Sequence, residues 1–201
     1  MSKTVRALSL VVCLLMSAPA FAGQAYSNAD VKELSTYTLT MDAIYKVNRV
    51  MLNVVTEMKK DPRVAQMIKV QAEAEALRKK DGRTAAEDEK LQALESQKQA
   101  LDEQIDNPLG LNDVGSLNEW AAKLQKKPVV AAALQKEGMS ATAYTRAFAA
   151  FLQAGMAAGL LKAGIKQVPE GTNPANVKLV IDHEAEITKM QQAWGDVSGK
   201  S

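Results

Sequence analysis

The sequence predicts an all-α fold, a bundle of about six to eight helices that carries a charged antiparallel helical hairpin. Three observations lead there. Apolar residues recur three and four positions apart over most of the chain, and no stretch alternates apolar with polar as a half-buried strand would. Ala, Leu, Lys, Gln, Glu and Met dominate these runs, and such residues lose little freedom in a helix. The prolines fall between the runs. With 201 residues, 47% of them hydrophobic, the chain is long enough for one domain with a core of its own.

Residues 1–22 have the build of a secretory signal peptide and are set aside before the fold is argued. Lys3 and Arg6 supply the positive start, residues 7–16 form an apolar stretch broken only by Ser9, and Ala20-Phe21-Ala22 is the small-x-small signal. Cleavage is expected between Ala22 and Gly23, which sends the mature chain to the periplasm or out of the cell. The apolar stretch is about half of the ~20 residues that span a bilayer, so no stable membrane span is expected after cleavage. Cys13 lies inside that stretch and not at the cleavage point, which argues against a lipoprotein. Removal of the segment lowers the 25 basic residues to 23, equal to the 23 acidic ones. The mature charge is formally balanced and points to no nucleic-acid partner. Cys13, the single cysteine, leaves too, so disulfide, thiolate and cysteine–metal chemistry are excluded from the mature chain.

The expected organisation is one helical domain over residues 23–195, with a hairpin arm over 62–106, apolar core helices over 116–194 and a disordered tail over 196–201. Asn28 is expected to cap a short helix to about residue 35. Thr40 then caps a longer one to about residue 60, whose Ile44, Val47, Met51, Val54 and Met58 alternate three and four apart as a core-facing stripe. Asp61-Pro62 restarts the chain with a good N-cap and a residue suited to the first helical position. That helix is expected to end near Asp81-Gly82, where Gly takes the left-handed stop. Thr84-Ala85-Ala86-Glu87 has the capping-box pattern that opens the return helix.

The hairpin is lean in apolar residues towards its tip, where Leu77 is the only large aliphatic residue from Gln71 to Lys90. Its base is better furnished, with Val64, Met67, Ile68, Leu94, Leu101 and Ile105. Charges crowd Glu73 to Lys80 and Glu87 to Lys90. Such a pair is either a solvated coil or an arm that meets a partner.

After the break at Asn107-Pro108-Leu109-Gly110, Ser116-Leu117-Asn118-Glu119 is a second capping-box pattern, with Leu117, Trp120, Ala121 and Leu124 expected inward. Lys127-Pro128 opens a further short helix with Val129, Val130, Ala133 and Leu134. Ser140 caps the most apolar helix, to about residue 163, which is expected to be surrounded by others at the centre of the bundle. Its Gly155-Met156-Ala157-Ala158-Gly159 is read as a small-residue close approach within a soluble bundle, because the apolar run is too short to span a membrane. Asn173-Pro174 opens the last helix, expected to run unbroken to about Trp194. On a wheel at 100° per residue, Val177, Leu179, Val180, Ile181, His183, Ile187, Met190 and Trp194 share one arc.

Glu137-Gly138-Met139-Ser140-Ala141-Thr142-Ala143-Tyr144, then Val168-Pro169 and Asn173-Pro174-Ala175-Asn176-Val177, resembles a group of uncharacterised secreted (periplasmic) all-helical proteins of Gram-negative bacteria. The resemblance covers about the last third of the chain. It implies a location and a fold, and no reaction, cofactor or functional residue.

His183 is the only histidine, and imidazole is the usual metal or haem ligand and neutral-pH acid–base group. Four-helix haem proteins of the cytochrome b562 kind hold iron between a Met near the start and a His in the last helix. Met41, Met51 and Met58 with His183 repeat that coarse arrangement, which makes His183 the candidate ligand of a b-type haem. The other reading is a core-edge histidine bonded to a neighbour such as Glu186. A two-metal carboxylate site needs Glu-x-x-His on two helices, and one histidine cannot supply it. No nucleophile elbow or Gly-rich phosphate loop appears, so no enzyme activity, metal or cofactor is expected. Seven methionines follow the signal segment, most on apolar stripes where thioethers fill gaps between helices. The expected function is that of a secreted, chaperone-like interaction protein, which meets a protein partner through the arm or through a seam beside residues 147–161. The alternative is a carrier of an apolar ligand or haem.

Overall fold

The computed structural model describes residues 27–105, 108–110, 114–164, 167–169 and 171–197, with residues 192–197 given by their backbone. The expected signal segment over 1–22, its cleavage point and residues 198–201 of the expected tail lie outside the described residues. The described residues form nine α-helices and no strand. They are α1 Asn28–Thr36, α2 Met41–Met58, α3 Pro62–Arg78, α4 Ala85–Gln104, α5 Leu117–Gln125, α6 Pro128–Lys136, α7 Ala141–Lys162, α8 Pro174–Asp182 and α9 Glu184–Val197. The chain falls into two compact units, one formed up to Val54 and again from Pro108, the other by Val55–Asn107.

Short polar side chains set where the helices begin. Ser27, one residue ahead of the expected Asn28, caps α1 by accepting the Asp30 amide at 3.2 Å. Thr40, Asp61, Ser140 and Asn173 cap α2, α3, α7 and α8 through the amides of Ala43, Arg63, Ala143 and Ala175. The first amides of a helix have no partner within it, so each cap satisfies a donor that water would otherwise have to reach. At α5, Ser116 accepts the Glu119 amide, but the Glu119 carboxylate turns to the Gly115 amide at 2.8 Å and does not close a box on Ser116. That bond, with Lys123 nearby, lowers the Glu119 pKa.

In the first unit α7 is central, with α1, α5, α6 and α8 all packed against it. Its buried residues are mostly alanine, among them Ala147, Ala150, Ala154 and Ala157. A methyl group in place of a longer chain lets neighbouring helix axes come close. The aromatic residues gather where α5 meets α7: Trp120 lies edge-on to Tyr144 and Phe148 at 6.0 and 5.5 Å, and Tyr144 and Phe148 stack at 5.7 Å. Edge-on pairs place the positive ring edge against a negative face and add about 0.5–1.5 kcal/mol to the burial itself.

Polar side chains join the remaining pieces of this unit. Asn176 is buried on α8, accepts the Leu39 amide at 2.8 Å and donates to the Tyr37 carbonyl at 2.8 Å, which Asn173 also reaches at 2.9 Å. Buried Asp30 accepts the Ser27 hydroxyl at 2.7 Å and the Leu117 amide at the start of α5 at 3.4 Å. Arg146 of α7 pairs with Glu33 of α1 and donates to Asn118 of α5 at 3.2 Å. Burial raises the Tyr37 phenol pKa, and the Arg146 charge opposes that rise. Gly171 has φ +80°, and a Cβ there would lie 2.6 Å from Val31 Cγ1, so only glycine lets this loop sit against α1.

The second unit contains the expected antiparallel hairpin. Arg63 at the foot of α3 donates to the Gln104 carbonyl at the end of α4 at 2.9 Å. Nearer the tip the ion pairs Lys90–Glu73, Arg78–Glu95 and Lys80–Glu87 cross from one side to the other. Val64, Met67, Val70, Ala74, Leu94 and Leu101 are buried, and none lies between Leu77 and Leu91, so the tip is as thin as its composition implies. Gly82 turns the chain at φ +68°, and Thr84 with Glu87 closes a full capping box. Lys80 is the main influence that holds the Glu87 carboxyl down to about 2, and the Thr84 amide helps.

Two sequence expectations, the unbroken last helix and the surrounded apolar helix, are corrected. The last helix is two helices: His183 leaves helical geometry at φ −108°, ψ 20°, its amide still bonded to the Leu179 carbonyl, and α9 starts at Glu184. This break raises the count to nine, and it separates the burial of Val177 and Val180 on α8 from that of Ile187 on α9, with Ile181 left 39% exposed between them. Val129 of α6 is exposed, whereas Val130, Ala133 and Leu134 are buried. Among the described residues α7 is not covered all round. Gly155 and Gly159 meet nothing within 4 Å of where a Cβ would stand, and the close approaches fall to the alanines on its other faces.

Two outcomes test this account. Asn176→Ala strands the buried Leu39 amide and is expected to cost about 2 kcal/mol; a urea midpoint within error of wild type would remove the clamp from the fold. A carboxyl whose folded pKa lies below its ordinary 4.5 stabilises the fold above that value and ceases to as the pH falls towards the folded value of about 2. Hydrogen-exchange protection at the start of α4 is therefore expected to fade between pH 4.5 and about 2, and Glu87→Gln to flatten that part of the profile.

Candidate functional site

Three helices of the first unit leave a cleft of about 80 Å³ between them. Ile44, Val47 and Met51 of α2 form one wall, Phe148, Phe151 and Leu152 of α7 the floor, and Ile187 and Met190 of α9 the other wall. Among the described residues Asn48 and Gln191 are the only polar side chains on the lining. Each wall follows from helical spacing: 44, 47 and 51 on α2 lie three and four positions apart, and 190 and 191 on α9 lie three and four positions after 187, so each set shares a face.

Polar contacts outside the lining tie the same helices together. Tyr45 lies three residues before Asn48 and Glu186 four before Met190, so both stand one turn along the same helix faces. The Tyr45 hydroxyl donates to Glu186 Oε1, and Glu186 Oε2 lies 2.9 Å from His183 Nδ1. Lys162 at the end of α7 pairs with Glu184 at the start of α9. These links hold α9 to both α2 and α7.

His183 sits at the α8–α9 break with its side chain 40% exposed. Glu186 is the partner expected for a core-edge histidine. Of the three methionines set beside it, Met51 lies in the cleft wall, whereas Met41 and Met58 are half-buried outside the lining, and His183 is outside the lining as well. The cleft is smaller than the 300 Å³ or more that a drug-sized ligand fills, and haem is larger still. It is about half the size of an engineered cavity that takes benzene. Its volume suits a single apolar side chain or a short alkyl group.

Beside the cleft α7 presents a bare surface. Leu152 in the floor is followed one and two turns later by Met156 and Leu160, 52% and 38% exposed, with Gly155 and Gly159 between them. No charged residue interrupts α7 from Phe148 to Leu161. Exposed large apolar side chains are otherwise scattered singly, at Val129 and Ile181 among the described residues. The sequence marked this helix as apolar, but the walls of the cleft come from segments about 100 and 40 residues away. Trp120 Nε1, within the aromatic cluster, is buried with no hydrogen-bond partner among the described residues, and it is not part of the lining.

Among the described residues no group of three or more His, Cys, Asp and Glu side chains is placed to hold a metal ion, and no helix is long and apolar enough to cross a membrane. The His183–Glu186 pair lies at the surface, where such pairs are worth about 0–1 kcal/mol. His183→Ala is accordingly expected to shift the urea midpoint by less than about 1 kcal/mol in stability; a larger loss would make the imidazole a support of the α8–α9 break. In comparisons with known proteins, no family model, curated protein or solved structure matches the chain.

Proposed function

We propose that this chain is a secreted periplasmic interaction protein, chaperone-like in mode, that docks a partner on the α2–α7–α9 cleft and the bare face of α7. The observation that carries this reading is the unbroken apolar track from the cleft floor at Leu152 through Met156 to Leu160. Contiguous exposed apolar surface on a water-facing helix is the usual mark of an interaction site. The cleft would take one apolar side chain of the partner as an anchor, and the track would cover its neighbours.

The hairpin arm is the weaker docking candidate. Its tip charges already satisfy one another in the pairs Lys80–Glu87, Arg83–Asp88 and Lys90–Glu73, so a partner would have to displace existing contacts for little gain. The carrier alternative draws on the same cleft, which admits only a short alkyl portion of a ligand.

A photo-crosslinking residue placed at 156 or 160 of the full chain, in its own periplasm, is expected to give adducts of discrete mass that disappear when Leu152→Glu is added. Adducts from position 89 on the hairpin, with none from 156 or 160, would move the function to the arm. A retained lipid or haem mass in native mass spectrometry of the gently extracted protein would put the carrier reading first.

A further inference from the structure

All seven methionines after the signal segment lie among the described residues, and their surroundings differ sharply. Met51 and Met67 are 2% and 1% exposed, and Met41, Met58, Met139 and Met190 are half-buried. Met156 is 52% exposed. It stands in the middle of a regular helix, and neither Gly155 before it nor Gly159 after it has a side chain that would shield the sulfur. Helical geometry keeps the thioether at the surface, so its exposure does not depend on a loop opening.

We propose that Met156 is a site of reversible two-electron oxidation, the position at which hydrogen peroxide first modifies this protein. The Met156 sulfur attacks one peroxide oxygen, an S–O bond forms as the O–O bond breaks, and the sulfur gives up two electrons. The proton on the transferred oxygen passes through solvent to the departing oxygen, which leaves as water. The product is methionine sulfoxide, a polar, chiral group that a reductase can return to the thioether. Met156 lies one turn from both Leu152 and Leu160, so the sulfoxide breaks the apolar track at its centre. That consequence rests on the docking reading above, whereas the oxidation itself does not.

The test is a hydrogen peroxide time course on the full folded chain, with each methionine followed by peptide mass spectrometry and the same course repeated in urea. Met156 is expected to convert about tenfold or more ahead of Met51 and Met67 when folded, because susceptibility follows exposure, and level with them in urea. Met156→Leu, with its helical circular dichroism unchanged, is expected to remove the fast phase and leave the other six rates alone. Another methionine keeping pace with Met156 in the folded chain, or the same order persisting in urea, would overturn the proposal. If Met156 oxidises first and crosslinking from position 160 is undiminished, the oxidation site stands and its control of docking is refuted.

Discussion

The buried carboxamide of Asn176 is the constraint on which the first unit depends. It meets both an amide and a carbonyl of the 37–39 turn, which leads from α1 into α2. A buried backbone polar group left without a partner costs about as much as a lost hydrogen bond, so this turn is held wherever α8 places Asn176. α2 starts two residues after Leu39, and the positions of Ile44, Val47 and Met51 follow from that start. One wall of the cleft therefore descends from a single side chain on a helix about 130 residues further along the chain.

α7 shows how residue size sorts the faces of one helix. Its alanines point where neighbours press closest, with Ala147, Ala149, Ala154 and Ala157 fully buried. Phe148 and Tyr144 fill the wider gap towards α5. Gly155, Met156, Gly159 and Leu160 fall on the remaining side, where nothing in the described chain covers them. A Gly-x-x-x-Gly pattern permits close approach, but the approach needs a partner helix, and here alanine serves that purpose inside the unit.

Around this apolar frame the long polar side chains act as ties between helices. Arg146 joins α7 to α1 and α5, and Arg49 and Asn53 of α2 grip Glu137 at the end of α6, with Lys136 closing the group on Asn53. Glu137, Asn173 and Asn176 have structural partners of this kind. None of the three lines the candidate site.

Much of the secondary structure was legible from local chemistry. Thr40, Asp61, Thr84, Ser140 and Asn173 begin helices because a short polar side chain can reach the amides next to it, a contact set within three residues of chain. The lean hairpin tip and the buried faces of α2 and α5 follow in the same way from composition and periodicity. The break at His183 did not, because Val177, Val180 and Ile187 fit one unbroken wheel. Nor did the open side of α7, whose apolar residues look the same in sequence whether or not another helix covers them. The sequence by itself determined an all-α chain, the capped starts of most of its helices and its paired hairpin, since these depend on neighbours within one or two turns. Only the tertiary structure decided that segments near residues 44, 152 and 187 enclose a cleft and that Met156 faces water, since those are contacts between parts of the chain that no local pattern relates.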